Sequence, residues 1–206
     1  MSIFVYVPFA EPEGQHANFD KYAVALVKAK NKYWHRYTLI ERGGTQPLSK
    51  VKNGDRLYIL IHGQADGMRA VYKDAAGRHT LTGAELADHL TGLGLADRKI
   101  DLRLFSCYSG LEGDSTDPNK PGRSTLVLEL CSALRAGSGY KKMNFTGYTE
   151  PVLIDEEAVA RTRKKRVKVG TKPVYGKKPG VAVPQILRHE PIYKDTTDFK
   201  VTIKAI

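Results

Sequence analysis

Two apolar runs, Leu57-Tyr58-Ile59-Leu60-Ile61 and Ile100-Asp101-Leu102-Arg103-Leu104-Phe105, constrain this chain more than any other feature. The first is continuous, too short for a helix, and preceded by the turn signal Asn53-Gly54-Asp55. It predicts a strand buried on both faces, as in parallel sheets. The second predicts another central strand. Between them Thr82-Gly83-Ala84-Glu85 has the Ser/Thr-x-x-Glu form of a capping box, and Leu86, Leu90 and Leu93 extend it as an apolar stripe. That pattern predicts a helix. Strand, crossing helix and strand together make the two strands parallel neighbours.

The flanking segments continue the alternation. Ile3 to Val7 predicts a first strand and Glu11 to Gln15 a loop. From a cap at Asn18, Phe19, Tyr22, Ala23, Leu26 and Val27 recur with helical spacing. Tyr33 to Ile40, aromatic and β-branched, predicts a strand that Gly43-Gly44 ends. A hairpin is expected around Asp74 to Gly77, and a polar loop from Leu111 to Arg123. A helix then follows from a Ser124 or Thr125 cap through Leu126, Val127, Leu130 and Leu134, and Met143 to Tyr148 predicts a third core strand. Beyond Pro151 only Glu156 to Arg163 hints at a helical period, so hairpins and a strand near Lys200 to Ile203 are expected.

The fold class is therefore α/β: three layers, a mainly parallel central sheet flanked by helices, and a C-terminal β-hairpin flap. One domain accounts for all 206 residues, with an α/β core at 1–150, a basic flap at 151–190 and a terminal strand at 191–206.

Composition closes off several classes of function. The longest aliphatic run, Leu57 to Ile61, is far short of the ~20 apolar residues that a membrane helix needs. Ile3 to Val7 has no preceding Lys or Arg and breaks at Pro8, which is not the layout of a Sec signal. Two cysteines, Cys107 and Cys131, make neither a disulfide scaffold nor a paired-Cys zinc site. No metal is expected. Chemistry at sulfur would use a free thiol, which suits the cytoplasm, or a host cytosol reached without a Sec signal.

Charge is concentrated in one place. Nine basic residues and no acidic one lie between Arg161 and Lys178, and setting them aside leaves 24 basic residues against 22 acidic ones. Such a segment attracts polyanions when it is more than a solvated face.

Ligands of parallel α/β sheets bind beyond the carboxyl ends of the strands. The first central strand runs into His62-Gly63 and the second into Ser106-Cys107-Tyr108-Ser109-Gly110. An imidazole there can favour the thiolate of a nearby cysteine and protonate a leaving amine. Gly63 lets the backbone approach a substrate closely, and its amide with that of Cys107 would hold an oxyanion. Taken singly, a strand-end cysteine is a small buried hydrophobe and a His-Gly pair is a turn; their joint placement is less ordinary. Cys131 belongs to a helical apolar stripe, and His16, His35, His79, His89 and His189 are read as surface or structural.

Apolar strand-His-Gly, a polar insertion, a helix, then apolar strand-Ser-Cys-Tyr-Ser-Gly resembles the caspase-like cysteine peptidases (clan CD), which include caspases, legumains, clostripain and gingipains. It is most similar in appearance to the self-processing cysteine protease domain of large bacterial toxins. The likeness covers residues 57–110 and extends more loosely to about residue 180. It implies a caspase-like fold and a catalytic dyad of His62 and Cys107. A protein or peptide would be the substrate, cut by a bacterial toxin or effector protease that needs no cofactor for its chemistry. It further implies activation by inositol hexakisphosphate in a basic pocket between core and flap. Arg163, Lys164, Lys165 and Lys168 would then be the flap contacts, with Arg69, Arg98 or Lys99 as core partners.

A second class is a catalytically silent α/β binding module whose basic segment takes nucleic acid or anionic phosphate ligands. Tyr175 is the one aromatic in that run, and no RNA-binding or helix-turn-helix signature occurs. Sequence-specific recognition of nucleic acid is therefore not expected.

Overall fold

The computed structural model describes residues 1–10, 19–34, 36–64, 68–74, 76–106, 125–148, 166–176, 185–195 and 200–204. Its strands are β1 (Ile3–Tyr6), β2 (Tyr37–Ile40), β3 (Arg56–Leu60), β4 (His62–Gly63), β5 (Ala70–Asp74), β6 (Gly77–Leu81), β7 (Asp101–Phe105), β8 (Asn144–Tyr148), β9 (Arg166–Gly176), β10 (Gln185–Asp195) and β11 (Lys200–Ile203). The helices are α1 (Phe19–Trp34), α2 (Gly83–Gly92) and α3 (Leu126–Ser138).

The central sheet has the order β11-β8-β7-β3-β1-β2. All pairs are parallel except β11 on β8. Helix α1 covers one face, packing Phe19, Tyr22, Ala23 and Leu26 against Val5, Tyr58, Leu60 and Phe105. Helices α2 and α3 cover the other, against Leu57, Ile59, Leu102, Leu104 and Phe145. The molecule is thus a three-layer α/β fold. Burial from both sides explains the unbroken apolar run at β3, where no residue from Leu57 to Ile61 is more than 3% exposed.

Local chemistry sets the helix ends. The Thr82 hydroxyl accepts from the Glu85 amide (3.2 Å) while the Glu85 carboxylate accepts from the Thr82 amide (2.8 Å), completing the capping box of α2. Thr125 caps α3 through the Leu128 amide, and Gly139 closes it at φ +67°. Gly83 is required by proximity: a Cβ there would lie 2.4 Å from the Leu130 nitrogen of α3.

One expected boundary is corrected. The strand predicted over Tyr33 to Ile40 begins at Tyr37, because α1 runs on through Trp34. No Gly or Pro interrupts Phe19 to Trp34, so the helix continues despite the aromatic content of its last turn. The Asn31 side chain then accepts from the Tyr37 amide (2.8 Å) and donates to the Tyr37 carbonyl (2.6 Å).

The hairpin expected at Asp74 to Gly77 is β5–β6, which pairs with β4 in a small antiparallel sheet. The expected C-terminal hairpin is β9–β10, and β11 supplies the terminal strand. The possible helical period at Glu156 to Arg163 and the loop from Leu111 to Arg123 lie outside the described residues. Among the described residues no helix is long and apolar enough to cross a membrane.

Candidate functional site

From β1 the chain crosses under α1 to β2 on one side, whereas β3 and β7 extend the sheet on the other, with α2 on the opposite face. The order therefore reverses between β1 and β3. Such a reversal opens a crevice at the carboxyl ends of the two strands, the usual ligand site of open α/β sheets. His62 follows β3 at that point.

The backbone around His62 is held from two sides. The Ile61 amide still donates to the Phe105 carbonyl of β7 (3.3 Å), after which the chain leaves the central sheet and pairs His62 with Val71 and Gly63 with Ala70. The Gln64 amide donates to the Arg69 carbonyl (3.0 Å). Because hydrogen-bonded and non-hydrogen-bonded pairs alternate in an antiparallel ladder, Gly63 falls at a non-hydrogen-bonded position and turns its N–H away from β5. The His62 ring, on a half-buried residue, lies against Phe19, with centroids 4.4 Å apart and planes tilted by 39°.

The end of β7 is built from aromatic rings. Phe105 lies parallel to Tyr22 of α1 (6.3 Å, 6°) and edge-on to Tyr148 (5.6 Å, 75°) and Tyr58 (6.5 Å, 76°). The Ser106 amide turns back to the Leu104 carbonyl (3.1 Å), so the strand ends sharply. Cys107 itself lies outside the described residues, as do Arg163, Lys164 and Lys165. Cys131 is 1% exposed within the α3 core, where burial pushes its thiol pKa up and Arg135 offsets this in part.

A second cluster lies on the α1 face at the starts of β3 and β7. Arg56 donates to the Asp101 carboxylate (2.7 Å), and Arg103 grips the same oxygen through Nε (2.9 Å) and Nη2 (2.7 Å). Burial would raise the Asp101 carboxyl, but the bonds and charges of Arg103 and Arg56 outweigh it and hold it below the ordinary range. Arg103 also lies 3.4 Å from the Tyr58 hydroxyl. Lys30 of α1 is buried, which pulls its ammonium pKa down against the opposing pull of Tyr58. Two arginines thus share one described carboxylate.

The sequence reading missed this cluster, although Asp101 and Arg103 at alternate positions of an otherwise apolar central strand were its signal. The core partners it named instead are differently engaged. Arg98 donates to the Ser49 carbonyl (2.9 Å) and to the Val51 carbonyl, which makes it a structural tie. Arg69 and Lys99 are exposed.

On the C-terminal hairpin, Lys168 stands opposite Tyr193 in register, whereas Lys172 stands opposite Glu190 and Arg166 opposite Asp195. Among the described residues no group of three or more His, Cys, Asp or Glu is placed to hold a metal ion. No protein-family model and no curated protein matches the chain.

Proposed function

We propose that the chain is a cysteine endopeptidase using a His62–Cys107 dyad. The observation that carries the reading is the register of β3 and β7: the strands are parallel and adjacent, with Leu60 opposite Phe105. His62 and Cys107 each follow that pair by two residues. The thiolate of Cys107 attacks the scissile carbonyl carbon, forming a C–S bond and a tetrahedral oxyanion that the amides of Gly63 and Cys107 hold. His62 gives its proton to the leaving amine as the C–N bond breaks. Water, deprotonated by His62, then hydrolyses the thioester and releases the carboxylate product.

The activator in this proposal is inositol hexakisphosphate or a similar compact polyphosphate. Arg56 and Arg103 are the core cations suited to it, and Lys168 with Arg163, Lys164 and Lys165 the flap cations. Arg56 begins β3, and Arg103 lies midway along β7. A polyanion that neutralises them would stiffen the two strands whose ends bear the dyad.

The test is an iodoacetamide-labelled peptide map of the full chain. An activated thiolate makes Cys107 react well ahead of Cys131, and His62→Ala slows Cys107 alone. Equal labelling of Cys107 in wild type and His62→Ala would leave the alternative, a silent module that binds anionic phosphate ligands through its basic hairpin.

A further inference from the structure

The first turn of α1 touches both strand ends at once. Phe19 packs on the His62 ring, and Tyr22, one turn along the same helix face, packs on Phe105. That turn is anchored independently. Arg42 forms a two-point pair with Asp20 (2.6 and 2.8 Å) and donates to the Val7 and Phe9 carbonyls (3.3 and 3.1 Å), tying α1 to the chain leaving β1.

We propose that Phe19 is the positioning residue for His62, holding the imidazole plane in the orientation that serves Cys107. This role rests on the dyad reading. The pairing of β4 with β5 fixes the His62 backbone but not the ring, whose final torsion is intrinsically soft. A second ring at 4.4 Å restrains it. Phe19 can do so because it is itself fixed, being 7% exposed and at the anchored end of its helix. An aromatic face also accommodates the imidazolium formed during turnover, through cation–π attraction, which an aliphatic side chain of similar bulk does not offer.

The experiment measures the iodoacetamide reaction rate of Cys107 in the full-length protein for wild type, His62→Ala, Phe19→Leu, Phe19→Tyr and Leu26→Ala. Leu26 is buried in the same core, two turns further along the same helix from Phe19, so its truncation reports instability. The expected result is a rate reduced about tenfold in Phe19→Leu, since small misplacements of reacting groups cost one to two orders of magnitude. Phe19→Tyr restores the rate and Leu26→Ala keeps it. Slow labelling in His62→Ala with wild-type labelling in Phe19→Leu overturns the positioning role alone. Wild-type labelling in His62→Ala overturns the dyad and the role together. An NMR measurement on the wild type stands apart from any variant's folding: a nuclear Overhauser contact between the Phe19 and His62 ring protons is expected, and its absence overturns the proposal.

Discussion

Leu60 and Phe105 are the last registered pair of β3 and β7, and the backbone link from Ile61 to the Phe105 carbonyl extends the ladder one step further. The ends of these strands are therefore fixed relative to each other by main-chain geometry. His62 follows β3 at this fixed end, and its ring lies against Phe19.

Cys131→Ala should lower stability by about 1–2 kcal/mol, the range for deleting a small buried group that the core does not refill. Its side chain lies among Leu130, Leu134 and Val127 in the α3 core. Urea unfolding followed by circular dichroism reads the shift in midpoint, and an unchanged midpoint would contradict the packing.

Gly83→Ala should destabilise by about 1–3 kcal/mol, as overpacking does. The added methyl meets the backbone of Leu130 at 2.4 Å and Glu129 Cβ at 2.7 Å, so α2 and α3 must separate. The same unfolding assay checks it. A stabilised variant, the usual result for Gly→Ala in an open helix turn, would show that the helices are not so close.

His89 stacks on Phe9 at 4.7 Å, and burial lowers its imidazole pKa. Below the ordinary histidine value of about 6.5 the unfolded chain takes up a proton that the folded one resists. Stability is thus fully present above that value and is lost as the pH falls through the lower, folded value. His89→Phe keeps a ring on Phe9 and should flatten the fall in melting temperature as the pH drops below about 6.5. Parallel pH profiles for the two proteins would contradict this account.

Asp101 bears the opposite sign of charge to the arginines it joins. Its stabilising effect is present above the ordinary carboxylate value and lost as the pH falls through the lowered one. At neutral pH, Asp101→Asn should cost about 2 kcal/mol, less than for a fully buried pair because the carboxylate is 24% exposed. Inositol hexakisphosphate should then raise the melting temperature of Asp101→Asn more than that of wild type. In Arg56→Gln/Arg103→Gln its effect should fall to that of sulfate at matched ionic strength. Equal shifts in all three proteins would separate the ligand from this cluster.

How much of this was legible in the sequence follows from the range of the forces involved. The capping box, the two apolar runs and the α3 stripe are local patterns with one physical solution, and they appear where expected. The end of α1 was misplaced because Tyr33 and Trp34 favour strands locally, whereas an uninterrupted helix and the Asn31 link to Tyr37 decide the boundary through neighbours. The strand-end location of His62 was legible because it needs only topology. The ring of Phe19 against it was not, since the two residues stand far apart in the chain and meet only once β1, β3 and α1 have packed. For the same reason Arg56 and Arg103 were invisible as partners: residues 47 apart share one carboxylate only through the β3–β7 register.

The most direct measurement is cleavage of a proteome-derived peptide library by the full chain, with and without inositol hexakisphosphate, read by mass spectrometry of the new amino termini. The account predicts cuts at a defined set of sites that wild type makes and that Cys107→Ala and His62→Ala do not, although all three proteins melt alike. Cutting by Cys107→Ala at the wild-type rate, or no new amino termini from wild type under either condition, would contradict it.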